Sequence, residues 1–109
     1  MSSAILLAWA SPASPESTEQ FHQWYESTHV PQVRESIPSI RQVSRYELVD
    51  PESGPQGRFL AVYEMDETDV AAAAAALGAG VEAGSVEMSP AMDVTSAPPV
   101  TQWYVRHTS

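Results

Sequence analysis

The stretch that decides the fold is EQFHQWYESTHVPQV at residues 19–33. Three aromatic residues and a threonine recur in it at the i, i+3, i+4 and i+7 spacing of one helix face: Phe21, Trp24, Tyr25 and Thr28. An adjacent polar stripe consists of His22, Glu26 and His29. The sequence STEQ at residues 17–20 fits a capping box with Ser17 as the N-cap. We therefore predict an amphipathic helix from Ser17 to about His29.

The segments on either side of this helix predict its neighbours. Residues 4–10, AILLAWA, form a near-continuous apolar run, which is typical of a strand covered on both faces. After the helix, Pro31 interrupts the ladder of backbone hydrogen bonds, and Pro38 ends a further short helical turn.

The remaining chain reads as a hairpin, a helix and a last strand. Residues 39–49 (SIRQVSRYELV) and 58–65 (RFLAVYEM) favour two strands joined by a loop at 50–57. Six alanines at 71–76 follow an acidic start, which favours a helix ending at Gly78 or Gly80, with a low-complexity linker as the alternative. The stretch from 81 to 99 carries little pattern, and residues 100–107 (VTQWYVRH) predict the last strand.

This order of elements predicts the fold class. Strand, helix, strand, strand, helix, strand is the split βαβ pattern of an α+β, ferredoxin-like βαββαβ domain with a four-stranded antiparallel sheet and both helices on one face. We expect a single domain over residues 1–109. The other face of the sheet would still expose some subset of Leu6, Ala8, Val43, Leu60, Val62, Trp103 and Val105. Because such a face is an association site, we predict a homodimer.

The charge and composition exclude several kinds of partner and chemistry. The chain has 14 acidic and 5 basic residues, a net charge of −9, and no lysine, so neither nucleic acid nor an anionic membrane surface is an expected partner. The absence of cysteine removes disulfides, thiol nucleophiles and thiolate metal sites. The apolar run at residues 4–10 lacks the basic flank of a signal peptide, and no run is long enough to span a membrane, so we expect a cytoplasmic protein.

The central helix also carries a family resemblance. Residues 19–33, followed by Ile-Pro at 37–38 and Arg-Tyr at 45–46, resemble the EthD-like group of the dimeric α+β barrel superfamily, whose helix reads E-x-F-x-x-W-Y-x-x-x-H-x-P-x-V before a Pro-Gly turn. The resemblance is close over residues 16–48, looser through the third strand and weak afterwards except for Trp-Tyr at 103–104. Two positions depart from the pattern: His22 stands where Asn is expected, and Ser39 replaces the glycine of the turn.

The resemblance implies a homodimer whose two sheets face each other, with a small-molecule pocket between the sheet and the helices of each protomer. Members of the superfamily include cofactor-free monooxygenases of polyketide quinols, lactone isomerases, aromatic cyclases or dehydratases, sugar mutarotases and haem proteins. The histidine of the helix pattern, here His29, is the residue most often tied to their chemistry. The helix pattern is typical of the fold and does not specify one reaction.

Three residues of the helix are candidates for catalysis. Histidine 29 is the first, since imidazole both accepts and donates protons near neutral pH, although it could instead cap the helix end or fill space. His22 lies two turns earlier, about 10 Å away on the same stripe, where a substrate would bridge the two rings or the side chain would face water. Glu26 between them makes a His-Glu-His metal site conceivable, but we predict no metal. Tyr25 could present its hydroxyl to a pocket.

Five further residues are candidates for binding a substrate, each with a structural alternative. Trp24 is expected mainly as core. Arg45 could orient an enolate or carboxylate, or form a salt bridge across the sheet. Tyr46, Tyr63 and Trp103 would provide flat walls for an aromatic ligand, or pack as ordinary sheet residues. We found no nucleophile elbow, phosphate loop or dinucleotide fingerprint in the sequence, so no cofactor is expected.

The sequence therefore favours a cofactor-independent enzyme of natural-product metabolism that acts on a small, hydrophobic, oxygenated, polyketide-type molecule. His29 would move a proton next to a carbonyl, giving cyclisation, dehydration or isomerisation. A cofactor-free monooxygenase of aromatic quinols is the alternative enzyme, and a non-catalytic ligand-binding dimer is the alternative outside catalysis. Haem binding is a weaker possibility.

Overall fold

A computed structural model describes residues 3–107 of the chain. Four strands and three α-helices follow in this order: β1 (Ala4–Ala10), α1 (Thr18–Trp24), α2 (Val30–Ser36), β2 (Ile40–Asp50), β3 (Gly54–Met65), α3 (Val70–Ala83) and β4 (Val100–Val105). A 3₁₀ turn (Pro15–Ser17) leads into α1, and a π-helical turn (Tyr25–His29) joins α1 to α2. No helix within the described residues is long and apolar enough to cross a membrane.

The sheet has the strand order β2-β3-β1-β4, and every neighbouring pair is antiparallel. The predicted α+β, ferredoxin-like βαββαβ fold is thus confirmed. Buried residues alternate along β1, where Ala4, Leu6 and Ala10 point toward the helices, and they continue into β3 at Tyr63, which lies opposite Leu6. The core consequently sits between the sheet and the helical layer, with Phe21 of α1 fully buried in it.

The open face of the sheet carries an apolar patch, as expected, and Leu60 and Val62 of the predicted set lie on it. By register, the other predicted residues share the helix-covered face: Leu6, Ala8, Val43, Trp103 and Val105. The apolar residues that join Leu60 and Val62 on the open face are Ile5, Leu7, Trp9, Tyr46, Val100 and Tyr104, and the polar residues on the same face include Gln42, Ser44, Glu64 and Gln102. Neighbouring residues of one strand point to opposite faces of a sheet. Because the sequence does not fix the register of the strands, it does not fix which of their residues lie on the open face.

The α-helix begins where the capping box predicts, with Ser17 as the N-cap of α1. The side chain of Ser17, however, makes no capping hydrogen bond, and it lies 2.9 Å from the Ser14 hydroxyl instead. A 3₁₀ turn precedes α1 from Pro15, because the fixed φ of proline suits the first position of a helical turn and its missing N–H costs nothing there. The prediction of Ser17 as the N-cap is therefore confirmed in position, and the predicted side-chain cap was wrong.

Pro31 does not end the helix, which continues to Ser36. A proline inside a helix removes one N–H donor and clashes with the carbonyl four residues before it. Here the preceding turn is widened into a π turn, in which the Val30 N–H donates to the Tyr25 carbonyl, five residues back. This wider turn accommodates Pro31 at the start of α2 and adds one residue to the helix repeat.

The alanine-rich segment forms α3, as predicted, but the helix ends later than expected. Asp69 caps its start by accepting a 3.0 Å hydrogen bond from the Ala72 N–H. The helix runs through Gly78 and Gly80 and ends at Gly84, whose φ of 80° is the left-handed C-cap conformation. Gly80 is retained inside the helix because a Cβ there would meet Ser36 Oγ at 2.6 Å.

Residues 84–99 form a segment without helix or strand that nevertheless packs closely over the rest of the fold, and we call it the strap. Val86, Ala91 and Met92 are buried, and Met92 pairs with Pro12 in an isolated β-bridge. Its far end is held by Arg58, which donates to the carbonyls of Ala97 and Pro98. The loop of the hairpin is shorter than predicted, because β3 already begins at Gly54, and β4 ends at Val105 rather than at residue 107.

Candidate functional site

A cavity of about 170 Å³ lies between the helix-covered face of the sheet, α3 and the strap. Its lining comes from every layer of the fold: Leu6, Ala8, Trp9, Ala10, Tyr25, His29, Val33, Tyr63, Leu77, Val81, Val86, Met88, Met92, Pro99 and Thr101. None of these residues carries a permanent charge. Larger hollows occur on the surface, but they are open depressions, such as the one of about 460 Å³ beside Tyr104 at the edge of the sheet. The 170 Å³ cavity is less open than these depressions and is lined almost entirely by apolar atoms, which makes it the candidate site.

Two tyrosines provide hydroxyl groups in this cavity. Tyr63 of β3 donates a 3.3 Å hydrogen bond to the hydroxyl oxygen of Tyr25 in the π turn, and both side chains are buried. Burial raises the pKa of Tyr25, although its hydrogen bond with Tyr63 and the nearby charge of Arg45 oppose that shift. Burial, reinforced by Tyr25, also raises the pKa of Tyr63. Both hydroxyls therefore stay protonated and able to donate hydrogen bonds at neutral pH.

His29 is the ionisable base of the cavity. Its ring lies 4.8 Å from the Tyr25 ring and 4.8 Å from the Trp24 ring, centroid to centroid. The Nδ1 atom is buried and has no hydrogen-bond partner in the structure. Burial lowers the pKa of His29 to about 4, against a hydrogen bond with the backbone of Glu87, which raises it. The imidazole is therefore neutral at pH 7, with Nδ1 free to accept a proton or a hydrogen bond.

The tautomer follows from the same contacts. A hydrogen bond that raises the pKa of a histidine is one that a ring N–H donates, and Nδ1 has no partner. We assign the Glu87 contact to Nε2 and the lone pair to Nδ1, because this tautomer satisfies both observations. Glu87 belongs to the strap, and its carboxylate accepts a 2.8 Å bond from the Gln32 side-chain amide, while its N–H donates to Gln32 Oε1 at 2.7 Å. This reciprocal pair fixes the strap beside the histidine.

The π turn separates the two histidines that the sequence places on one stripe. In a regular helix, His22 and His29 would lie on one face, but the additional residue in the turn rotates the later part of the helix relative to the earlier part. His29 lines the cavity, and His22 does not. The interpretation of a shared stripe across which a substrate bridges both rings was therefore wrong.

His22 belongs to a separate polar cluster at the surface. Arg45 Nη1 lies 3.0 Å from His22 Nδ1 and 3.1 Å from Glu26 Oε2, the latter as an ion pair. Burial and the charge of Arg45 lower the pKa of His22. Among residues 3–107, no three His, Cys, Asp or Glu side chains converge on a position suited to a metal ion. The alternative of a His-Glu-His metal site is thus contradicted.

Arg45 lies behind the cavity wall rather than in the cavity. Its guanidinium carbon is 4.3 Å from the centroid of the Tyr25 ring, and its buried Nε has no hydrogen-bond partner. The Tyr25 ring thus separates this charge from the space enclosed by the lining residues. The ion pair expected for Arg45 forms with Glu26 of the helix and not across the sheet.

The remaining candidates for substrate binding are placed in different parts of the fold. Tyr63 lines the cavity, and Trp24 backs the ring of His29. Trp103 packs against the core without lining the cavity, and Tyr46 is 57% exposed on the open face of the sheet. The structure thus brings together His29, Tyr25 and Tyr63.

The residues that close the cavity were not identified from the sequence. Six of them come from α3 and the strap: Leu77, Val81, Val86, Met88, Met92 and Pro99. The two methionines were visible as the apolar members of a stretch with little pattern, and a flexible thioether side chain is typical of adaptable pockets. No short-range pattern connects such residues to a helix fifty positions earlier.

The fold is shared with solved proteins, although the sequence matches no family model and no curated protein. A dimeric ferredoxin-like protein from an uncultured marine organism superimposes with a TM-score of 0.65 at 13% identity, over 100% of this chain and 99% of that one. An EthD family protein from Bacillus halodurans gives a TM-score of 0.56 at 17% identity, over 95% and 99% of the two chains.

A third similar structure contains a ligand. It is the monooxygenase from the gene ActVA-Orf6 of Streptomyces coelicolor, in complex with nanaomycin D, with a TM-score of 0.57 at 8% identity over 99% of this chain and 90% of that one. The resemblance to EthD-like, dimeric ferredoxin-like proteins that the helix pattern indicates is therefore confirmed at the level of the fold.

Proposed function

We propose that this protein is a cofactor-independent enzyme that moves a proton on a small, hydrophobic, oxygenated molecule, with His29 as the general base. The observation that carries this proposal is the buried Nδ1 atom, which has no partner and borders an apolar cavity. An unsatisfied buried polar atom costs about 1–3 kcal/mol, and a bound substrate would remove that cost. Tyr25, whose ring lies beside the histidine, supplies a hydroxyl in the same space.

The proposed step is enolisation. Nδ1 of His29 takes a proton from a carbon next to a carbonyl group, the C–H electron pair forms a carbon–carbon double bond, and the carbonyl oxygen becomes an enolate. The Tyr25 hydroxyl stabilises that oxygen by donating a hydrogen bond. Because the pKa of His29 is about 4, the base is fully available at pH 7 but is weak, which suits an acidic C–H bond.

The fate of the enolate determines the overall reaction. Return of the proton to another carbon gives an isomerisation, and its transfer to a departing hydroxyl group gives a dehydration with release of water. Attack of the enolate carbon on a second carbonyl gives a cyclisation. All three outcomes balance without a further reactant. A polyketide-type intermediate of natural-product metabolism provides the carbonyl groups that each of them requires.

A cofactor-free monooxygenase is the second candidate, favoured by the structural similarity to the Streptomyces coelicolor monooxygenase. The same base would deprotonate a quinol, and molecular oxygen would add to a carbon of the electron-rich ring to give a hydroperoxide. Loss of water from that hydroperoxide leaves a quinone that carries one of the two oxygen atoms. Oxygen consumption with methylhydroquinone as the probe distinguishes this reaction from enolisation, which consumes none.

The experiment that tests the proposal measures hydrogen–deuterium exchange of phenylacetone in D₂O by proton NMR. We expect the wild-type protein to exchange the benzylic hydrogens faster than buffer and His29→Gln to reduce the protein-dependent rate by roughly 10²–10⁴. His22→Gln is the matched control, since it removes an imidazole from the same helix outside the cavity. Exchange by wild type no faster than buffer, or unchanged in His29→Gln, would contradict the proposal. If the protein still binds phenylacetone but does not catalyse its exchange, the alternative of a non-catalytic ligand-binding dimer is favoured.

A further inference from the structure

The cavity restricts its ligand by size. At about 170 Å³ it is close to the ~150 Å³ of an engineered apolar cavity that holds one benzene molecule, and below the ~300 Å³ at which drug-sized pockets begin. One substituted six-membered ring fills this space, whereas three fused rings would extend beyond it. The inner walls belong to the core of the fold, since Leu6 and Tyr63 are each 1% exposed, and the outer side is formed by Val81 and Met88, which are about half exposed.

The cavity also restricts its ligand by charge. Its only ionisable side chains are the two tyrosines, which stay protonated, and the histidine, which stays neutral. Arg45, the nearest fixed cation identified at the site, stands on the far side of the Tyr25 ring and is paired with Glu26. A carboxylate in the cavity would lose its hydration without gaining a direct partner of opposite charge, because the Arg45 charge, which is close enough to lower the pKa of Tyr25 and of His29, lies behind the Tyr25 ring.

The polar atoms define one functional group on the ligand. Because Tyr63 donates to the oxygen of Tyr25, the Tyr25 O–H is left to donate elsewhere, while Nδ1 of His29 needs a donor. One group that both accepts and donates, a hydroxyl, satisfies the two at once. The other walls, formed by residues such as Leu77 and Met92, suit a hydrocarbon ring.

We propose that the ligand of this cavity is a neutral, single-ring phenol, with its hydroxyl group between Tyr25 and His29. The proposal rests on the proposed function in that a phenol is the enol that this base would form from the keto tautomer, by moving a proton from carbon to oxygen. It goes beyond that function because it excludes polycyclic and anionic molecules of the same chemical type.

Isothermal titration calorimetry with defined probes tests this inference. We expect p-cresol to bind at least tenfold more tightly than each of three comparison molecules: toluene, which lacks the hydroxyl, 4-hydroxybenzoate, which is anionic, and 2-hydroxyanthracene, which has three rings. Leu77→Ala should improve the affinity for 2-hydroxyanthracene at least tenfold, whereas Leu48→Ala, on an exposed part of β2, should not. Met88→Ala enlarges the same cavity from its half-exposed side and serves if Leu77→Ala fails to fold.

The outcomes separate this inference from the proposed function. Equal or tighter binding of 2-hydroxyanthracene or 4-hydroxybenzoate relative to p-cresol would overturn the ligand class even if phenylacetone exchange depends on His29. Selective binding of p-cresol together with no His29-dependent exchange would support the ligand class and contradict the enzyme. Weaker binding of p-cresol than of toluene would overturn the role assigned to the hydroxyl group.

Discussion

The Tyr63 hydroxyl donates a 3.3 Å hydrogen bond to the Tyr25 hydroxyl, and this bond joins the central strand β3 to the π turn of the helix inside the core. Two phenol groups buried together would be costly if either lacked a partner. Their pairing leaves the Tyr25 O–H directed to the cavity contents and makes the polar end of the site depend on the contact between sheet and helix.

Replacement of Tyr63 by Phe tests that dependence. Loss of the donor should lower the free energy of unfolding by about 1 kcal/mol at pH 8 and weaken p-cresol binding, because the Tyr25 hydroxyl is no longer oriented. The raised pKa of Tyr63 adds a pH signature: the unfolded chain ionises near pH 10 while the folded one does not, so stability falls as the pH rises above that value. In urea unfolding experiments, the free energy of unfolding should fall between pH 8 and pH 10.5 in wild type. In Tyr63→Phe this fall should be about 0.8 kcal/mol smaller.

Tyr46→Phe is the control for this variant, because its side chain lies on the other face of the sheet, away from the cavity. It should leave the p-cresol affinity at its wild-type value. An equal loss of affinity in both variants would contradict a specific role of the buried pair.

His29 predicts a stability change on the acid side. Its pKa is about 4 in the folded protein and near 6.5 when unfolded, so the unfolded state binds a proton first as the pH falls. The stability associated with the neutral ring is present above pH 6.5 and decreases as the pH falls toward 4. Between pH 7 and pH 5, wild type should lose about 1–2 kcal/mol more unfolding free energy than His29→Gln.

The difference between the two proteins isolates this histidine from carboxylates that titrate in the same range. His107→Gln, an exposed change near the end of the described chain, should behave as wild type. Parallel pH profiles of wild type and His29→Gln would show that the ring is not buried as described.

The central helix illustrates what sequence periodicity can and cannot predict. The spacing of Phe21 and Tyr25 identified the buried face, because an α-helical repeat holds up to the end of α1. The sequence did not predict that His22 and His29 lie on different sides of the helix. Their separation depends on the extra residue in the π turn, and a pattern with a fixed period assumes that no residue is inserted. Pro31 was the available signal, but it indicates a disturbed ladder without indicating whether the helix stops or widens.

The cavity shows the same limit at longer range. The sequence identified His29, Tyr25 and Tyr63, which all line the cavity, as candidates. Each has an imidazole or phenol side chain and lies on a helix or strand that the sequence predicts. The residues that enclose the site in α3 and the strap were missed, since their positions depend on tertiary packing. The contact between Gln32 and Glu87, 55 residues apart, is of this kind.

The two glycines inside α3 predict opposite effects of the same substitution. A Cβ at Gly80 would meet Ser36 Oγ at 2.6 Å and Val86 Cγ2 at 3.0 Å, whereas nothing lies within 4 Å of one at Gly78. Gly80→Ala should therefore destabilise the fold by about 1–2 kcal/mol and weaken p-cresol binding, because Val86 lines the cavity. Gly78→Ala should stabilise it by about 0.5–1 kcal/mol, the helix propensity gained.

Thermal and urea unfolding of this matched pair provide the measurement. Both variants add one methyl group to the same helix, so a difference in sign reports only on the packing of α3 against α2 and the strap. Destabilisation by both would mean that the helix itself, and not the close approach at Gly80, is sensitive to the change.

The apolar open face predicts that two copies associate through their sheets. Trp9, Leu60 and Tyr46 lie side by side across three strands of this face, and Leu7 pairs with Val62 in the next row. Burial of such a surface is worth about 25 cal/mol per Å², and the ferredoxin-like protein from the marine organism that shares the fold is described as dimeric. We expect two 11.8 kDa chains to sediment together in analytical ultracentrifugation at micromolar concentration.

Val62→Asp should dissociate this dimer, because it would bury two carboxylates, one from each copy, at the interface without a partner of opposite charge. Ala75→Asp introduces the same charge on the exposed side of α3, beyond the opposite face of the sheet, and should leave the dimer intact. The cavity opens between sheet and helices, not on this face, so a monomeric Val62→Asp protein that remains folded should still bind p-cresol. A wild-type protein that sediments as a monomer, or a Val62→Asp variant that remains dimeric, would show that the sheets do not meet.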